Sequence, residues 1–400
     1  MSTRSIARPS APDTVGAGVA SGTVVGSVRM LGMMSGTSLD GVDCVLTEFD
    51  AAGVPRWVRR WARRFPAGLA ARLRACASGS AASWECGQLH HDLGRFYARV
   101  AAAGVRNDRI DAVGLHGQTV FHRGGGTAPA TWQIGEPAYL VEALGVPVVF
   151  GFRAADMAAG GQGAPLATLF HVRAFATRGE HVCVQNLGGI GNVTSIDWRT
   201  GERPRVMSFD TGPGNMPIDG AVRRLTRGRE TCDRDGARAA AGRVSEVLVR
   251  RWVRDPFVRK APPKSTGRER FGDPYLERLW PEMDALGLAG NDRIATLTEL
   301  TARTVVANYK EHLGSRPTRI VVCGGGAKNP ELMRRLSVAS NALGPGMEFG
   351  ASTKWGWPVD SVEGGAFALL ARERLLRRPG NLPETTGARR AVLCGAVIEP

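Results

Sequence analysis

Lysine is nearly missing from this 400-residue chain: it occurs at Lys260, Lys264, Lys310, Lys328 and Lys354 and nowhere else. Arginine therefore carries almost all of the formal net charge of +15. It is spread along amphipathic segments such as 70–76 and 237–254 rather than gathered into the basic cluster that a polyanion surface needs, which argues against nucleic acid as a partner. No window approaches the roughly 18 consecutive apolar residues of a membrane helix. The seven cysteines are scattered, odd in number and without a CxxC pair, which argues against a disulfide framework and a zinc site; a reducing cytoplasm is expected. Neither GxxxxGK[ST] nor GxGxxG occurs, so the P-loop and dinucleotide fingerprints are absent as well. Residues 1–27 lack the apolar centre of a secretory signal, and their Ser, Ala, Gly, Thr and Pro predict a flexible extension.

What is abundant is glycine, 52 residues, much of it at the ends of short apolar runs. An apolar strand over 28–33 is followed by Gly-Met-Met-Ser-Gly-Thr-Ser-Leu-Asp-Gly, from Gly32 to Gly41, and by a second strand over 42–49. Helical periodicity over 69–76 and 84–103 leads to strand 110–115, and a helix near 137–144 leads to strand 146–150. Phe152 to Leu166, "FRAADMAAGGQGAPL", is too rich in Gly and Ala for an ordinary element and reads as a loop that something approaches closely. After a linker near 177–180 the theme restarts: strand 181–187, Gly188-Gly189-Ile190-Gly191-Asn192, strand 193–197. Strand 206–209 runs into "DTGPGN", "PPKSTGRERFG" interrupts a helical region at 262–272, a helix spans 295–313, and strand 319–323 ends in Gly324-Gly325-Gly326. The pattern predicts an α/β protein of two similar lobes facing a cleft: 28–177, then 178–400, with a helix near 361–376 packing back toward the first lobe.

Glycine lets backbone N–H groups close around an anion. In the first turn Ser35, Gly36, Thr37 and Ser38 offer donors, and Asp40 or Asp43 can hold Mg²⁺ directly or through water. A flexible hairpin turn explains that segment equally well; a second turn of the same character at Asn186–Asn192 favours a phosphate clamp. Asp210 at the end of a strand fits a general base, or a turn aspartate bonding its own backbone. Arg153 and Asp156 stand three apart before Gln162, as substrate contacts or as a local ion pair. His116, in "HGQT", follows a strand where sugar hydroxyls would meet it, though a core histidine is the plainer reading.

Taken together, "GMMSGTSLDGVD", "LHGQTVFH", "WQIGEPAYL", "FRAADMAAGGQGAPL", "NLGGIGNVT", "FDTGPGNM", "DRDGARAA", "PPKSTGRERFG", "TLTELTARTV" and "VCGGGAKNPELM" resemble the anhydro-N-acetylmuramic acid kinases, cell-wall recycling enzymes of the sugar-kinase, actin and heat-shock ATPase superfamily. The resemblance implies the two-lobed actin-like (ribonuclease H-like) fold, ATP and Mg²⁺, a homodimer, and phosphorylation of 1,6-anhydro-N-acetylmuramic acid coupled to hydrolysis of its 1,6-anhydro ring. It implies a first phosphate hairpin of Ser35, Gly36, Thr37, Ser38, Asp40, Gly41 and Asp43, with Asp40 at the metal. The second hairpin would use Asn186, Gly188, Gly189, Gly191 and Asn192, and the adenosine loop Gly324, Gly325, Gly326 and Asn329. Asp210 matches the catalytic base, and His116, Arg153, Asp156, Gln162, Asn215 and Glu363 fall on the substrate side. Three departures stand out: Gly151 where the family commonly has Asp, Ala167-Thr168 where it has Val-Pro, and Gly364-Gly365 interrupting the last large helix. A kinase of another sugar, or a non-catalytic nucleotide- or polyanion-binding relative, are the alternatives.

Overall fold

The computed structural model describes residues 27–36 and 39–400; the extension up to residue 26 and the hairpin residues Thr37 and Ser38 lie outside the described residues. Apolar runs bounded by glycine become strands, as their short length and β-branched content require. The first sheet holds β1 (Val28–Ser35), β2 (Gly41–Phe49), β3 (Pro55–Arg64), β4 (Ala112–Arg123), β5 (Ala130–Ile134) and β6 (Val148–Phe150). The second holds β7 (His181–Leu187), β8 (Ile190–Asp197), β9 (Arg205–Pro213), β10 (Arg319–Cys323) and β11 (Glu348–Ala351), and β12 (Ala396–Ile398) returns to the first.

The strand orders are β3-β2-β1-β4-β6-β12 and β9-β8-β7-β10-β11, with β5 paired to β4 off the main path. In each sheet the first three strands form an antiparallel meander and the next two run parallel to the first. This repeated order is the two-lobed, actin-like plan. Parallel strands need covered faces, and the central β7 is accordingly buried along nearly its whole length.

The cover that unites the lobes is the helix Val362–Leu375, which packs on β1, β2 and β4. It is continuous, not interrupted, through Gly364-Gly365. The two glycines are packing residues: a Cβ at Gly364 would stand 2.4 Å from Val45, and one at Gly365 2.7 Å from Trp357 and 2.9 Å from Phe170. One apolar cluster accordingly joins Val45 and Val149 of the first sheet, Val184 and Val321 of the second, and Phe367 of this helix. Five arginines lie on β3, an edge of the first sheet; charge there blocks strand addition and accounts for part of the basic surplus.

Candidate active site

Strand register builds the site. Asn186 on β7 pairs with Asn192 on β8, which pairs with Asp210 on β9, so the three stand side by side at one end of the second sheet. β9 runs on past Asp210 to Pro213, with a register shift opposite Gly191 and Asn192; the expected strand end at 209 was too early because the bulge resets the alternation. The helix Gly290–His312 fixes this stretch: Asn308 Nδ2 donates to Thr211 O at 2.8 Å and Thr301 Oγ1 to Gly214 O at 3.1 Å.

On the first sheet Ser35 and Gly36 rest on Tyr97 and on Gln118, the amide of "HGQT". Tyr97 OH and Ser35 Oγ are 2.7 Å apart, and Gln118 Nε2 donates to Gly36 O at 3.0 Å. Ser35 is buried, so its hydroxyl braces the hairpin instead of facing a phosphate. Gln118 lies in the "HGQT" that sequence reasoning marked, two residues beyond His116; nothing local pointed to Tyr97.

The first hairpin through Met34 and Asp43, the second through Asn186 and Gly188, and the third glycine loop through Gly324 meet at a cavity of about 180 Å³ that Asp360 and Glu363 also line. Gly324 sits at φ +81°, and a Cβ there would stand 2.2 Å from Asn186 Oδ1; only glycine lets this loop close onto β7. Asp43 is paired with Arg60, whose other side faces Asp360 at 3.8 Å, and Asp360 pairs in turn with Lys328 of the glycine loop. Burial raises the Asp43 pKa, with Arg60 opposing. Glu363 is open to water through the cavity yet deep in the cleft; burial raises its pKa, Asp43 adds to the rise, and Arg153 counters it. Glu363 thus lies between the hairpin carboxylate and the Arg153 side.

Arg153 is held by its neighbours. Its Nη1 donates to Gly163 O at 2.7 Å and its Nη2 lies 2.9 Å from His116 Nε2. Burial, then the Arg153 charge, push the His116 pKa well below its usual value. The imidazole is therefore neutral, and its Nε2 accepts from the guanidinium. His116 lies inside β4, buried against Phe367 at 4.5 Å, and acts on the site through Arg153. Burial also lowers the Arg153 pKa to about 10, with Glu363 opposing.

Two residues expected at the substrate stand elsewhere. Asp156 is fully buried; it accepts from Gly163 N (2.8 Å), Asn381 Nδ2 (2.6 Å) and Thr386 Oγ1 (2.7 Å). Its carboxylate fastens the glycine-rich loop to the C-terminal segment, and Gln162 N donates to Thr386 O in the same junction. Asn215 stands at the N-cap position of the helix Met216–Thr226 without a side-chain cap; its Nδ2 instead donates to Leu187 O at 3.1 Å, beside the second hairpin. Asn329 accepts from Leu332 N at 3.0 Å as an N-cap. At Gly151, φ +66°, a Cβ would meet nothing within 4 Å. Asp40 lies exposed at the hairpin, its carbonyl accepting from Phe65 N.

Asp210 is half-buried, with Oδ2 accepting from Thr266 N at 2.7 Å. Burial raises its pKa to about 6; the Thr266 N–H and Lys264 pull down and Glu269 pushes up. A carboxylate near that value is charged at neutral pH and still basic enough to take a proton. Among the described residues no three His, Cys, Asp or Glu side chains are grouped as a ready metal cage.

The family model described as anhydro-N-acetylmuramic acid kinase matches residues 28–400. An anhydro-N-acetylmuramic acid kinase of Picosynechococcus sp. is 39% identical over 386 residues, covering 93% of this chain and 100% of its own length. One of Gloeobacter violaceus is 41% identical over 379 residues, covering 92% and 97%. Among solved structures, a ROK family glucokinase from Streptomyces griseus, in complex with glucose and AMPPNP, is 16% identical, covers 86% of this chain and 99% of its own, and has a TM-score of 0.37.

Proposed function

The chain belongs to the anhydro-N-acetylmuramic acid kinase family, and from that premise we propose how its cleft performs the reaction. It is an ATP-dependent phosphotransferase that acts on 1,6-anhydro-N-acetylmuramic acid, opening the anhydro ring with water and giving N-acetylmuramic acid 6-phosphate and ADP. ATP lies in the cavity between the hairpins, with Gly36 and Gly41 on one side, Gly188, Gly189, Gly191 and Asn192 on the other, and Gly324–Asn329 along the nucleoside. Backbone N–H groups there face the charge that spreads over the transferred phosphoryl group. Mg²⁺ bound with the nucleotide supplies further charge neutralisation, and Asp40 and Asp43 are the residues to hold it.

Asp210 is the general base. It takes a proton from the water that attacks the anomeric carbon; the C1–O6 bond breaks, and O6 attacks the γ-phosphorus. Arg153, set by His116, and Glu363 orient the sugar across the cleft. The observation that carries this assignment is the register that lines Asp210 up with Asn192 and Asn186, the phosphate-hairpin residues. With its pKa near 6, the base is unprotonated above that pH, so the rate rises through about pH 6 and levels off.

Incubation with the anhydro sugar, Mg²⁺ and ATP in ¹⁸O-water, followed by mass spectrometry, yields a sugar phosphate labelled once at the anomeric hydroxyl. Unlabelled sugar phosphate would remove the water-attack step. Asp210→Asn abolishes the product; near-normal turnover would strip Asp210 of its role. A homodimer in the cytoplasm completes the proposal. Sedimentation velocity tests the dimer.

A further inference from the structure

Four of the five lysines stand at partly or fully exposed positions; Lys264 is 5% exposed. Its ammonium donates to Phe257 O at 3.1 Å and Val258 O at 2.8 Å, carbonyls of the short helix Pro256–Arg259, and lies 3.3 Å from His312 Nε2. His312 Nε2 either accepts from this ammonium or donates to Val258 O at 3.1 Å. The rings of Phe209 and Phe257 flank the charge at 5.5 and 5.2 Å. A buried ammonium is costly unless its donors are met. A compact ammonium can aim three donors at converging acceptors, which the planar fork of a guanidinium cannot. In a chain that uses arginine almost everywhere else, that geometry accounts for lysine here.

What this anchor holds is the segment that follows it. Lys264 O accepts from Asp210 N at 3.1 Å, and Thr266 N donates to Asp210 Oδ2 at 2.7 Å. Residues 264–266 thus clasp Asp210 by its main chain and by its carboxylate.

We propose that Lys264 is a positioning residue for Asp210: its ammonium pins the 264–266 segment so that the Thr266 N–H meets the carboxylate, holding it aimed and charged. The inference rests on reading Asp210 as the base. Other charges facing the pair are Glu269 near Asp210, and Glu311 and Lys260 near Lys264. Burial lowers the Lys264 pKa to about 8, with Glu311 and Asp210 opposing, so the ammonium is present where the base works.

The test is the pH profile of kcat/KM for sugar-dependent ADP release by the full chain. The base must be charged, so losing a group that favours the carboxylate moves the acidic limb to higher pH. In Lys264→Met the limb moves up by about one pH unit, roughly a five-fold greater loss at pH 6 than at pH 8. Lys264→Arg keeps the charge but cannot aim donors at the converging carbonyls, so its limb stays near that of Lys264→Met, and Thr266→Pro, which removes the N–H, moves the limb in the same way; a limb fully restored by arginine would show that charge alone acts and would overturn the positioning role. An unmoved limb in Lys264→Met, with activity lowered equally at every pH, would make the lysine merely structural and overturn the proposal. Should Lys264→Met not fold, Thr266→Pro decides by the same criterion. Normal turnover by Asp210→Asn sinks the base assignment instead, and is told apart because it does not depend on any limb.

Discussion

Gly32, in the middle of β1, is where the fold leaves least room. A Cβ there would stand 1.8 Å from Gly364 O and 2.8 Å from Ala368 N, atoms of the helix backbone that cannot rotate aside. In Gly32→Ala the helix Val362–Leu375 must therefore lift by roughly 1.5 Å to reach ordinary contact, at a cost of about 1–3 kcal/mol for overpacking, toward the upper end because backbone meets backbone. That helix carries Glu363 in its first turn and begins just after Asp360, both lining the cavity proposed to take the nucleotide. A displacement on the order of 1 Å at reacting groups costs about 100-fold in rate, so kcat/KM falls more steeply than stability does. Gly87 is the control. It lies in the helix Ser83–Val105 with nothing within 4 Å of a Cβ, so Gly87→Ala gains about 0.5–1 kcal/mol from helix propensity and leaves activity unchanged. Chemical denaturation and ADP-release kinetics on both variants read the contrast. A Gly32→Ala protein of unchanged stability and turnover would refute the idea that this contact sets the cleft.

Asp156→Ala leaves three buried donors without an acceptor, and each such group costs about 1–3 kcal/mol; the expected result is a destabilised, poorly folded protein, and normal melting with only a raised KM would return Asp156 to the substrate. Arg153→Gln keeps polarity but loses the charge beside Glu363; the expected outcome is a fall in kcat/KM for the sugar of at least about ten-fold, while nucleotide affinity measured by calorimetry is unchanged. Brief alkylation of the native protein should modify Cys232 first, since it is the one exposed cysteine, and peptide mass mapping checks this; early loss of Cys44 or Cys183 would show an interior more open than the packing described.

Alternation of apolar runs with glycine was enough to find most strands, because a run that ends in glycine has few other ways to be buried. β10 and the helix Val362–Leu375 fall on the residues expected. β5 escaped because its side chains are mostly exposed, Trp132 among them at 47%, so it has no apolar run, and the short β11 was missed for a related reason. The glycine loops were found from local chemistry, and they do converge on one cavity. What sequence did not show is pairing over long separations: Tyr97 to Ser35, Asn381 and Thr386 to Asp156, Thr266 to Asp210. These fix which polar groups are already engaged by the protein. "PPKSTGRERFG" read as an interruption because its partner, Asp210, lies far away along the chain.

The return of the C-terminal segment to the first sheet also has a bearing on synthesis. A chain made from its N-terminus completes β1 to β6 with the face that takes the helix Val362–Leu375 still bare, and β6 without its edge partner β12. Both arrive only after the whole second sheet has been made. An unfinished chain therefore shows an apolar face and an open strand edge, the features that mark a polypeptide for chaperones and proteases. It also lacks Asp360 and Glu363, so no partial chain completes the lining of the cavity between the two sheets.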